Sequence, residues 1–163
     1  MTTLRTLLLT IAAALTMAAG PTPVPPPGQA VFFGLHLIEG AGGDPNGTTA
    51  ARVKMTEDLI AADLESRGYT VLRPPLEKVA GIRNPVNSNG RDTKIAAEMG
   101  ADYAVSGVVQ KTSNLILAIN LAVRDARTGD TLRAGTVDLR GDNDESFQRG
   151  ARYLLKNIIF RTE

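Results

Sequence analysis

The sequence predicts an α+β domain: a mixed sheet in β-α-β-α-β-β-β-α order, with a C-terminal antiparallel meander and helices packed on one face. Three observations carry this expectation. Residues 114–125 alternate, with Leu115, Leu117, Ile119, Leu121 and Val123 on one side and Ala118, Asn120, Ala122 and Arg124 on the other, the period of a strand with one buried face. Near the C-terminus, Phe147, Ala151, Leu154, Leu155 and Ile158 form a single helical stripe. Between these ends and the N-terminal half, strand and helix patterns take turns, which makes the sheet mixed rather than purely antiparallel.

The chain opens with Arg5, an apolar run from Leu7 to Leu15 and the small residues Ala18, Ala19 and Gly20, the order of a secretory signal peptide with cleavage after Ala18 or Ala19. The run is short of the ~20 residues that span a bilayer, so residues 1–19 are expected to be removed. Residues 20–29 contain Pro21, Pro23, Pro25, Pro26 and Pro27 and read as an extended, solvated linker. A single domain is expected over 30–163.

Within it, 31–38 reads as a buried strand, followed by a glycine-rich loop over 40–47. Thr48 or Thr49 is expected to cap a helix reaching Arg67, with Val53, Ile60 and Leu64 on one face and Met55, Leu59 and Ala62 nearly opposite, so that it is covered on two sides. A short strand follows over 69–72, then Pro74 and Pro75 and a turn of helix carrying Leu76, Val79 and Ile82. Asp92 is expected to cap a helix ending at Gly100. Strands near 102–111, 114–125 and 131–139 make the meander, and Asp144 is expected to cap the last helix, which runs to about Phe160.

Composition excludes several classes. The chain has no cysteine, so it has neither a disulfide framework nor the acylated cysteine of a lipoprotein, and an ordinary core must hold it. Of 18 Lys and Arg, Arg5 leaves with the leader, so 17 remain against 17 Asp and Glu. That balance argues against nucleic acid and polyanionic membrane surfaces as partners.

Three stretches resemble a known family: residues 95–104, from Ile95-Ala-Ala-Glu to Tyr103-Ala104; residues 107–117, Gly107-Val-Val-Gln-Lys-Thr-Ser-Asn-Leu-Ile-Leu117; and residues 140–155, from Arg140-Gly-Asp to Tyr153-Leu-Leu155. They are similar to the uncharacterised exported bacterial DUF2380/DUF3280 group over nearly the whole of the expected domain. More loosely, the order of elements looks like the small α/β domain of TolB, LpoB and CsgG, envelope proteins that bind other proteins. In the family pattern the loop before the third helix often carries two cysteines around Asn-Gly, where this chain has Ser88-Asn89-Gly90-Arg91. The resemblance therefore implies a loop held by backbone turns alone. It carries no assigned activity.

Candidate sites are few. The loop over 40–47 sits where a phosphate cradle would lie, yet it lacks the Gly-Lys-Ser/Thr ending of a P-loop and reads better as a plain connection. His36 is the sole histidine and the only conventional general base; within an apolar strand it reads as a satisfied structural residue. Asp138, Asp142, Asp144 and Glu145 crowd one turn without the spacing of a calcium loop. No catalytic residue, cofactor or metal site is expected. Gln110, Lys111, Ser113 and Asn114 at a hairpin, with Arg140 and Asp142, form the candidate partner-binding surface. The expected protein is a non-enzymatic, periplasmic accessory or adaptor that binds an envelope protein, with no nucleic acid partner and no stable membrane anchor after cleavage. A small-ligand or sensing domain using the glycine-rich loop is the alternative.

Overall fold

The computed structural model describes residues 23–40, 44 and 46–162. The expected signal peptide, the first residues of the linker and residues 41–43 and 45 of the glycine-rich loop lie outside them.

Strand β1 (Gln29–Glu39) is flanked by two parallel neighbours, β2 (Thr70–Leu72) and β3 (Tyr103–Lys111). Strands β3, β4 (Leu117–Asp125) and β5 (Thr131–Leu139) continue as an antiparallel meander. The sheet order is β2-β1-β3-β4-β5. A strand flanked on both sides by partners and covered on both faces is apolar throughout, which is why Ala30, Val31 and Phe32 are all fully buried. A bulge interrupts β1 between Phe32 and Leu35. Gly34 takes φ 81° there, and Glu57 accepts a hydrogen bond from the Leu35 N–H at 2.7 Å, so a helix carboxylate satisfies a strand donor.

Helices α1 (Thr48–Ser66) and α4 (Asp144–Leu154) cover one face of the sheet. Phe32, Val105, Ile119 and Leu121 meet Ile60, Leu64, Phe147 and Leu154 there in the main core. Thr49, Val53, Thr56, Ile60 and Leu64 form the buried stripe of α1, while Met55 and Leu59 are half-buried against the same core. Of the apolar residues expected to be covered on α1, Ala62 alone is exposed. The close seat of α4 on β5 depends on two glycines. A side chain on Gly150 would run into Leu139, and one on Gly135 into Ile158.

The α+β class, the mixed sheet and the C-terminal meander are as the sequence predicts. The placing of the helices needs one correction. Helix α3 (Arg91–Glu98) lies on the opposite face, where Ala96 and Ala101 pack against Val31, Ala104 and Ala126. The small side chains of β3 on that face allow the close approach. Two short helical turns remain, α2 (Leu76–Val79) and a 3-10 turn over Pro85–Asn87, and neither contains a buried residue.

Several ends also differ from expectation. Helix α1 starts after Gly47 (φ 65°), and the Asp44 carboxylate receives the Thr49 N–H instead of a threonine capping the helix. Gly90 precedes α3 in the left-handed region, which frees Asp92 for another role. Asn143, not Asp144, caps α4 by accepting from the Ser146 N–H at 2.9 Å. The last helix passes into a π turn over Leu155–Ile159, which brings Ile159 and Phe160 into the core and leaves Ile158 only half-buried.

The described part of the proline-rich tract is anchored at Val24 and Pro25, while Pro23, Pro26 and Pro27 are exposed as an extended linker would be. Pro25 is buried, Val24 packs on the main core, and the Tyr69 and Tyr103 hydroxyls donate to the Pro25 and Pro26 carbonyls. Proline lacks an N–H but keeps its carbonyl, and two buried phenols require acceptors.

Candidate functional site

The parallel strands β1 and β3 end side by side at Glu39 and Lys111, beside the start of α1 and the turn into α4. Lys111 is only 8% exposed. Its ammonium donates to Thr49 Oγ1 at 2.7 Å, lies 2.8 Å from Asp142 Oδ2 and is 4.0 Å from Glu39. The Thr49 hydroxyl donates to Asp142 in turn at 2.6 Å. Arg52, one turn along α1, donates from Nη1 to Asp142 at 2.9 Å and from Nε to Asp144 at 2.8 Å. Burial alone would push the Asp142 carboxyl up, but hydrogen bonds from Lys111, Thr49 and Arg52 outweigh it and hold the carboxyl below the usual carboxylate range. The Asp144 hydrogen bond, helped by Asp142, raises Arg52. Two cations are thus matched to three carboxylates, Asp142, Asp144 and the more distant Glu39, with the Thr49 hydroxyl between Lys111 and Asp142.

This cluster ties down the β3–β4 hairpin. The Asp142 N–H donates to the Asn114 carbonyl at 2.9 Å. Within the turn, Thr112 and Ser113 both donate to the Ile116 carbonyl, and Ser113 Oγ accepts from the Leu115 N–H at 3.2 Å. These bonds close the loop tightly and send the next two side chains outward. Leu115 is 76% exposed and Ile116 62%. The alternation across 114–125 places Leu115 on the core face, and the turn overrides it: pairing begins at Leu117.

The candidate residues therefore gather at one end of the molecule in two different states. Lys111 is buried, Asp142 is half-buried, and the two are engaged with each other. Gln110, Ser113, Asn114 and Arg140 are exposed. Gln110 sits in register between Ile38 and Ala118, and Arg140 borders a cleft of about 560 Å³ between β5 and α4 that also includes Tyr153 and Arg149. Thr49, Arg52 and Asp144 complete the cluster and were not foreseen, because they come from segments some 90 residues apart with no local signature. The Leu115-Ile116 pair had a signal in the sequence, since two adjacent apolar residues after Ser113-Asn114 cannot both face the core of a strand.

His36 lies half-buried on the α3 side of β1, and no carboxylate or hydroxyl hydrogen-bonds to it among the described residues. The loop before α3 is held by side chains rather than backbone turns alone. Ser88 donates to the fully buried Asp92 at 2.7 Å, and Arg124 joins Asp92 at 3.2 Å and the Val86 carbonyl at 2.8 Å. Among the described residues no group of three or more acidic, histidine or cysteine side chains is placed to hold a metal, and no helix is long and apolar enough to cross a membrane.

A family model described as a protein of unknown function, DUF3280 (DUF2380), matches residues 28–159. No curated protein matches the sequence. Among solved structures, the chain is similar to a PelC variant from Paraburkholderia phytofirmans, a dodecamer, at 12% identity and TM-score 0.51, covering 82% of this chain and 90% of that one. A homologue of a neuraminyllactose-binding hemagglutinin from Helicobacter pylori is similar at 10% identity and TM-score 0.50, covering 84% and 88%. The C-terminal domain of LpoB from Salmonella enterica follows at 15% identity and TM-score 0.49, covering 72% and 85%. At these identities the likeness is one of fold.

Proposed function

The chain belongs to the DUF3280 family, and on that footing we propose that it is a non-enzymatic accessory or adaptor protein of the cell envelope that binds another envelope protein through the tip of the β3–β4 hairpin. The observation that carries this reading is the exposed Leu115-Ile116 pair. Adjacent large apolar side chains at a rigid tip are a cost in water that burial against a partner recovers. Ser113 and Asn114 supply polar groups at the rim, and the buried Lys111–Asp142–Arg52 cluster fixes the base, so little conformational freedom is lost on docking. The leader pattern at residues 1–19 supports export to the periplasm.

The ligand reading at residues 40–47 has less behind it. Lys111, which bonds Thr49 at the start of α1, and Arg52 one turn on are already neutralised by Asp142 and Asp144.

The test is photo-crosslinking in the native cell from a benzophenone amino acid at Ser113. A discrete adduct should form with the parent chain and disappear with Leu115→Asp and Ile116→Asp together, while the melting temperature stays unchanged. The same adducts with and without those substitutions would overturn the reading.

A further inference from the structure

On the opposite side of the sheet from the main core, the segment between α2 and α3 folds over the end of β1 and leaves a cleft of about 470 Å³. Its volume falls within the range of small-molecule sites, and its chemistry is one-sided. Arg83 and Arg91 line it together with Asn84, Asn87, Asn89 and His36, and no acidic residue does. Elsewhere in the chain positive and negative groups nearly balance, so an unopposed pair of guanidinium groups is a local feature.

The polar groups are also biased toward donation. The Asn84 side-chain oxygen is occupied by the Val86 N–H at 3.0 Å, which leaves its amide N–H groups to face a ligand. Arg91 spends one N–H on the Gly81 carbonyl at 2.8 Å and retains the others. Arg83 makes no ion pair among the described residues. Ile38 and Ile82 supply an apolar wall.

The loop is set in advance. The buried Ser88–Asp92–Arg124 cluster and the Arg124 bond to the Val86 carbonyl hold its middle, and Arg91 ties its start to α3. Asn89 holds a left-handed conformation (φ 55°) directly before Gly90, a shape that a β-branched residue would resist. A preformed, donor-rich, positively charged cleft suits a small anion.

We infer that this cleft is a binding site for a small carboxylate- or phosphate-bearing molecule, with Arg83 and Arg91 as its charge partners and the asparagine amides as its orienting donors. The site shares no lining residue with the hairpin tip and does not depend on it.

The experiment is a titration of the ¹⁵N-labelled protein with inorganic phosphate, with succinate and with uncharged glycerol, following backbone and side-chain amide signals. Saturable shifts at His36 and at the Asn84, Asn87 and Asn89 amides are expected with at least one anion and not with glycerol. Phosphate acting alone identifies a phosphorylated ligand, and succinate alone a carboxylate. Arg83→Gln, on an exposed side chain, should weaken binding about tenfold, as for loss of one charge-assisted hydrogen bond. Asn87→Ala should weaken it less, and Lys54→Gln on the far face of α1 should leave it unchanged. Linear shifts scattered over the surface, equal shifts with glycerol, or an affinity indifferent to Arg83→Gln would overturn the inference.

Discussion

Asp142 is the residue on which most of the ionic chemistry converges, because its carboxylate answers Lys111, Arg52 and Thr49 at once. Removing it leaves the buried Lys111 with only the Thr49 hydroxyl and the more distant Glu39, while Arg52 keeps Asp144. Asp142→Ala is therefore expected to cost about 3 kcal/mol in urea unfolding, the range for breaking a buried pair from one side. Lys111→Met should cost less, since Arg52 and Thr49 still satisfy the carboxylate and the new side chain packs. The pH dependence follows from the direction of the shift. The folded Asp142 is below its ordinary value, so its contribution is fully present above the unfolded value of about 4 and is lost as pH falls through the folded one. Asp142→Asn should flatten the acid limb of the stability curve; an unchanged limb would place the acid sensitivity elsewhere.

At the scale of elements, the hairpin and the bulge respond in opposite ways. Leu115 and Ile116 lie outside the core, so changing both to Asp should move stability by no more than about 0.5 kcal/mol. Leu117, one residue further and 2% exposed, should cost about 2–5 kcal/mol as Leu117→Ala. Equal losses at the three positions would show that the tip is buried after all. In β1, Gly34 combines positive φ with close approach of Glu57. Gly34→Ala should cost more than the ~1 kcal/mol of an ordinary glycine replacement, and adding Glu57→Ala, which removes the clashing carboxylate, should cost less than the two single changes summed. Element boundaries show where local chemistry is ambiguous. Asp92 and Asp144 are both good capping residues by type, but each was drawn into an ion pair, with Arg124 and Arg52, and Gly90 and Asn143 took the cap positions.

For the molecule as a whole, the docked proline segment extends the core beyond the sheet. Tyr69 meets Tyr103 edge-on at 5.9 Å and Phe160 at 5.8 Å, and burial raises the pKa of both tyrosines. This aromatic group joins the N-terminal segment, β2, β3 and the chain's last turn, and Arg67 lies over Phe160 at 4.5 Å. Tyr69→Phe leaves the Pro25 carbonyl without its donor and should cost about 1 kcal/mol. Amide exchange near Gln29 and Thr70 should then quicken, while exchange in β4 stays slow. Uniform quickening would mean that the segment is coupled to the entire sheet.

The sequence by itself determined the class of fold, because binary patterning at periods of 2 and 3.6 is written residue by residue: the meander and the stripe of α4 could be read directly. It also marked the hairpin near Lys111 and the turn near Asp142 as candidate surface, without showing that Lys111 and Asp142 pair. Only the tertiary structure decided that α3 lies on the opposite face from α1 and α4, that Lys111 and Asp142 neutralise each other, and that Leu115 points to water. Each of these depends on which distant segments meet. A helix pattern specifies an apolar side without saying which side of the sheet receives it, and a charge carries no mark of the partner brought to it from 90 residues away.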